Sequence, residues 1–219
     1  MQNLDINTII QLIAVSAIPV LFAIALHEVA HGWVANKLGD PTAANLGRLS
    51  INPLKHIDPI GTVIVPILLI ITVGFAFGWA KPVPVDWRNL HNPKRDMIYV
   101  AAAGPLANLL MALFWGLIFK LATLFSAIQF IAVPMALMAQ VGVMINTVLF
   151  VFNLFPIPPL DGGRVAVGLL PNNLATPLAR IEPFGFFILI ALMLSGLLWK
   201  IIGPVVDVVS SIIYLLTGF

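Results

Sequence analysis

The chain has 219 residues, 60% of them hydrophobic and 9% charged, with a mean hydropathy of +1.05 and a net charge of +2. Soluble domains carry roughly a quarter charged residues, so this composition excludes one and predicts an all-α polytopic membrane protein, a single domain over residues 1–219 set in a lipid bilayer. The absence of cysteine excludes thiolate ligands, a cysteine nucleophile and disulfides, and the scattered lysines and arginines give nucleic-acid binding no basis.

The opening Met-Gln-Asn-Leu-Asp lacks the basic flank of a secretory signal, so the first apolar segment is expected to be retained. Apolar runs predict helices at about 8–35, 61–78, 97–119, 130–155, 184–199 and 202–218, five to six membrane segments in all. Lys37, Arg48, Lys55, Lys81, Arg88, Lys94, Arg95, Arg164 and Arg180 fall in three connecting stretches, and only Lys120 and Lys200 in the other two. If this bias marks the cytoplasmic side, the N-terminus is outside and the C-terminus inside.

The 61–78 segment has basic residues at both ends, is interrupted by Pro66 and carries Gly61, Gly74 and Gly78. A re-entrant or sharply bent element on one face fits those charges better than a crossing. Around it, Leu46–Pro53 and Trp79–Val85 are rich in turn and strand formers. They read as extended, β-like edges able to hold an unwound substrate by strand addition, or as interfacial loops. No repeat, low-complexity tract or hydrophilic linker marks a second domain.

Chemistry gathers in the first helix. His27, Glu28 and His31 form H-E-x-x-H; the histidines, four apart, lie on one helical face and can share one ion, leaving Glu28 free to act as general base. Ionisable side chains at membrane depth cost roughly 2.5–3.5 kcal/mol each, which argues for a compensating metal over a polar patch at a helix end. Without cysteine, only nitrogen and oxygen ligands are available, and a catalytic zinc takes three. Among the remaining acids Asp161 stands out, preceded by Pro156, Pro158 and Pro159 and followed by Gly162 and Gly163, a punctuation that places a side chain at a helix break. Taken alone, without H-E-x-x-H, Asp161 reads better as a helix N-cap beside Gly162.

His27-Glu28-Val-Ala-His31 together with Asn153-Leu-Phe-Pro-Ile-Pro-Pro-Leu-Asp161-Gly162-Gly163 resembles the site-2 protease family of intramembrane zinc metalloproteases. Ala103-Gly104-Pro105-Leu106-Ala107-Asn108 resembles the opening of that family's middle core helix. The resemblance covers about residues 8–170, with accessory helices over about 184–218, and no room is left for a PDZ domain or CBS pair. It implies a three-helix catalytic core, one zinc ion on His27, His31 and Asp161, water activation by Glu28, and a substrate cleft lined by the Asn153 segment. It also implies no additional crossing between the first helix and the Gly-Pro-bearing one.

Asn108 and Asn153 are amides able to bind substrate backbone, with helix-to-helix bonding the stronger reading for Asn108. His56 and His91 read as solvated loop histidines, and Glu182 as a helix end. Asp207 is an unexplained acid in the last apolar run. The expected activity is hydrolysis of peptide bonds in or near transmembrane segments of membrane proteins, at a site facing the cytoplasm. A divalent-metal transporter is the alternative, but it would string its ligands along a path rather than gather them at one face.

Overall fold

The structure, a computed structural model, describes residues 6–65, 67, 68, 78 and 80–218. Its long helices are α1 (Ile6–Lys37), α3 (Pro93–Leu124), α4 (Gln129–Asn153) and α8 (Leu197–Thr217). Between them lie the single-turn α2 (Thr42–Asn45) and the shorter α5 (Asp161–Leu169), α6 (Asn172–Ala179) and α7 (Glu182–Leu194). Among the described residues, four helices are long and apolar enough to cross a membrane, five if the bent α6–α7 pair counts as one span. The protein is an all-α polytopic membrane protein, as its composition predicts.

Backbone amides have no water partner in hydrocarbon, so apolar stretches of this length satisfy them within helices. Their large side chains point outward: Leu110, Phe130 and Leu215 are all well exposed, the lipid-facing arrangement. Inside, small residues let helices approach. Gly142 of α4 leaves room for the Trp115 ring of α3, and a Cβ on Gly116 would lie 2.7 Å from the Thr217 side chain of α8. One packed cluster joins Ala112 and Trp115 to Ala139, Val143 and Ile213, and a second joins Val151 to Leu198, Ile202 and Val206.

These contacts fix direction. α8 starts beside Val151, near the end of α4, and finishes beside Gly116 of α3, so it runs antiparallel to α4. The predicted 184–199 span is instead α7, 13 residues long, whose Gly185 abuts Pro158 and Pro159 and which is bent 68° from α6. Because α7 hands over to α8 at the level of Val151, Thr217 ends on the same side as Ile6, correcting the expectation that the C-terminus lies opposite the N-terminus. Lys200 consequently joins the nine other cations on the Lys37 side, and of the eleven lysines and arginines only Lys120 sits at the far end.

The predicted re-entrant segment falls largely outside the described residues; its start, Pro59–Ile64, is a turn of π-helix whose first amides are capped by Asp58. The β-like edges do not form: no strand occurs among the described residues. Pro82 and Pro84 have no N–H, while the amides of Lys81 and Val83 already donate to His56 O (2.9 Å) and to Glu28 Oε2 (2.7 Å), so no amide donor is left over 81–84 for a ladder. Arg48 pins the stretch instead, donating to Lys55 O (2.6 Å) and Lys81 O (2.9 Å). His56, expected in solvent, is 1% exposed beneath this loop and its Nε2 meets Ser50 O at 2.8 Å.

The Lys37 end of α1 is tied to the start of α3 by buried Asp40, which accepts from Thr42 N (3.1 Å), Asn89 Nδ2 (3.0 Å) and Asp86 N (2.8 Å). Asp96 in the first turn of α3 accepts from Asn92 N at 2.7 Å, capping the helix that faces α1. Asp207 is exposed on the outer face of α8.

Candidate metal centre

His27 and His31 lie on the inward face of α1, one turn apart, with their Nε2 atoms 3.0 Å from each other. Asp161 begins α5, where the positive end of the helix dipole favours a carboxylate, and its Oδ2 lies 3.2 Å from His27 Nε2 and 3.4 Å from His31 Nε2. Two glycines let α5 come so close. A Cβ on Gly162 would overlap Leu154 O and one on Gly163 would overlap Pro158 N, so the loop after α4 packs directly on the α5 backbone.

The outer nitrogens are also engaged. His27 Nδ1 donates to Asn108 Oδ1 (2.6 Å) and His31 Nδ1 to Val100 O (2.7 Å). A carbonyl oxygen only accepts, so each Nδ1 carries the proton and each Nε2 presents a lone pair. The 3.0 Å approach of the two Nε2 atoms is therefore a meeting of acceptors. Asp161 Oδ2 joins them as a buried oxygen with no hydrogen-bond donor.

Three lone pairs converging without a proton between them call for a cation. Zinc bonds of about 2.0–2.1 Å in tetrahedral geometry set ligand atoms about 3.3 Å apart, and the three separations here, 3.0, 3.2 and 3.4 Å, form such a face. The donor set thus fits a single zinc ion.

The three residues line a cavity of about 380 Å³ whose walls also include Glu28, Val83, Val100, Asn153 and Pro159. Glu28 follows His27 round the helix and is held at Oε2 by the Val83 amide. Asn153 lies on this wall, its Nδ2 bonded back to Leu149 O at 3.0 Å. Asn108 does not: it is fully buried behind His27 and absent from the cavity wall, between the helices it bonds. Gly104 passes beneath the two histidines, and a Cβ there would overlap His31 Nε2.

Sequence reasoning missed Arg164 and Trp87. Arg164, one turn after Asp161 on α5, lines the cavity, lies 5.2 Å over the Trp87 ring and pairs with Glu182 Oε1 at 3.0 Å. Its i+3 spacing from Asp161 was the available signal. Glu182 does mark a helix start, and His91 is exposed, as read from sequence.

The sequence profile of peptidase family M50 matches residues 15–196, from the middle of α1 to the start of α8. The chain belongs to peptidase family M50. This M50 chain is 35% identical over 192 residues to YwhC of Bacillus subtilis (strain 168), covering 87% of itself and 84% of YwhC, a protein whose name assigns it provisionally to the zinc metalloproteases. It is 30% identical over 185 residues to Rip2 of Mycolicibacterium smegmatis, named in the same way, covering 80% of itself and 64% of Rip2. The same figures of 30%, 80% and 64% hold for Rip2 of Mycobacterium tuberculosis H37Rv over 175 residues. No solved structure matches the chain significantly.

Proposed function

We propose that this M50 chain is a zinc-dependent intramembrane endopeptidase that hydrolyses peptide bonds in or near transmembrane segments of other membrane proteins. The observation that carries it is the convergence of His27 Nε2, His31 Nε2 and Asp161 Oδ2 on one point, beside a carboxylate that is not part of the set.

His27, His31 and Asp161 would hold the zinc, which when bound would supply Lewis-acid polarisation of a carbonyl and a more acidic water. Glu28 is the base: with Oε2 fixed by Val83 N–H, Oε1 takes the proton of the attacking water and later delivers it to the leaving amine. Asn153 would hold substrate backbone through its side-chain amide, a role supported by its position on the cavity wall. A helical substrate hides its carbonyls in hydrogen bonds, so it must unwind before it enters. The site opens toward the cytoplasm, because ten of the eleven lysines and arginines lie at its end of the helices.

Transport has no comparable support, since among the described residues His27, His31 and Asp161 are the one group able to hold a metal. The test is zinc analysis and cleavage of a transmembrane test substrate by wild-type, Glu28→Gln and Asp161→Ala proteins. Glu28→Gln should keep zinc and lose about 10²–10⁴-fold in rate, and Asp161→Ala should lose both; full activity in either overturns the assignment.

A further inference from the structure

Asn146 sits in the middle of α4, fully buried, absent from the cavity wall and hydrogen-bonded to Asn108 and Gly142 rather than to any of the three candidate ligands. We infer that Asn146 is a positioning residue for the metal centre, acting through Asn108 to keep Nε2 of His27 free of its proton. The inference rests on the zinc site proposed above.

A side-chain amide can face either way, so something must set its direction. Here two main-chain carbonyls do, because they can only accept. Asn146 Nδ2 donates to Gly142 O at 2.8 Å, which turns Asn146 Oδ1 toward Asn108. Asn108 Nδ2 donates to that oxygen at 3.0 Å and to Ala23 O at 3.1 Å, which turns Asn108 Oδ1 toward His27. With an acceptor 2.6 Å from Nδ1, the imidazole carries its proton there and the lone pair falls on Nε2. Turning Asn108 over would face its oxygen to two acceptors and its NH₂ to a protonated Nδ1, a buried mismatch at every contact.

His31 needs no such chain, since its Nδ1 partner is the fixed carbonyl of Val100. Only the histidine whose partner can rotate is backed by a second amide. The chain also crosses α1, α3 and α4, so the competing explanation is that Asn146 merely bonds helices together.

A thermodynamic cycle separates the two. Zinc affinity is measured by chelator competition on the full-length protein in detergent, for wild type, Asn108→Leu, Asn146→Leu and the double variant. ¹⁵N NMR of the metal-free proteins reports the His27 tautomer. Asn108→Leu should weaken zinc by about 10–100-fold, the usual range for an outer partner of a ligand. Asn146→Leu should weaken it several-fold, mix the His27 tautomers, and add nothing once Asn108 is gone.

Thr147→Val is the packing control, because Thr147 is equally buried on the same helix and its hydroxyl has no partner; it should leave affinity unchanged. The inference is overturned if Asn146→Leu leaves tautomer and affinity at wild-type values, or if its cost recurs in full in the Asn108→Leu background. If Asn146→Leu does not fold, Asn146→Ser runs the same cycle. A wild-type protein that holds no zinc overturns the proposed site instead.

Discussion

Gly104 of α3 lies directly beneath His31 of α1, with no space between them for even a methyl group: a Cβ at Gly104 would overlap His31 Nε2 and reach 2.6 Å from His27 Cε1. The glycine of the Gly-Pro pair is therefore what lets two imidazoles turn their inner nitrogens toward Asp161. Gly104→Ala should lower zinc affinity by at least tenfold, because the overpacking falls on the ligands themselves. Gly116→Ala crowds Thr217 instead and should cost stability with zinc affinity kept. Chelator competition on both variants checks the contrast.

Gly162→Ala should also release zinc, by a different route. The added methyl meets the Leu154 carbonyl, which cannot yield without moving the loop, so α5 shifts and carries Asp161 away. Gly47 has φ +62 and open space around it, so Gly47→Ala adds backbone strain of about 1 kcal/mol with no crowding. Its melting temperature should fall while its zinc content matches wild type; zinc retained by Gly162→Ala would contradict this view of the Gly-Gly pair.

Val83→Pro removes the amide proton that orients Glu28 Oε2. Zinc binding should be unaffected and kcat should drop by about tenfold, a fraction of what a general base supplies. Val83→Ala keeps the amide and should keep kcat. Equal rates for the proline and alanine variants would mean that Glu28 does not depend on that bond.

Asp40 makes stability depend on pH. Burial pushes its carboxyl up, but the Asn89 and Thr42 side chains and the Asp86 and Thr42 amides outweigh burial and hold it below the usual carboxylate range. A group whose folded value is depressed contributes fully above its unfolded value and loses that contribution as pH falls through the folded one. Wild type should therefore melt above Asp40→Asn at neutral pH, by the equivalent of about 1–3 kcal/mol for a buried hydrogen-bonded acceptor. The gap should narrow as pH drops below about 4, and a gap that widens on acidification would refute this account.

The three core spans, H-E-x-x-H and Asp161 were legible because each leaves a local mark: an apolar run, a one-turn spacing, a proline-glycine break. Other features depended on contacts that no local pattern encodes. α7 reads as apolar as a span, yet the stop is made by Ser195 and the left-handed Gly196, φ +70, which start α8 while the chain is still near Val151. His56 looks solvated among charged neighbours until the Lys81 amide closes over its carbonyl. Alternating Pro82 and Pro84 suggest an extended edge, but by removing amides they also prevent the ladder. Asn146 is a lone amide in an apolar run until Asn108 is seen beside it.

The antiparallel return of α8 decides what reporter fusions should show. A fluorescent protein that matures only in the cytoplasm should stay dark, and alkaline phosphatase should be active, when either is joined beyond Thr217. Inserted after Gly47, beside the metal centre, the same two reporters should give the opposite pair of signals.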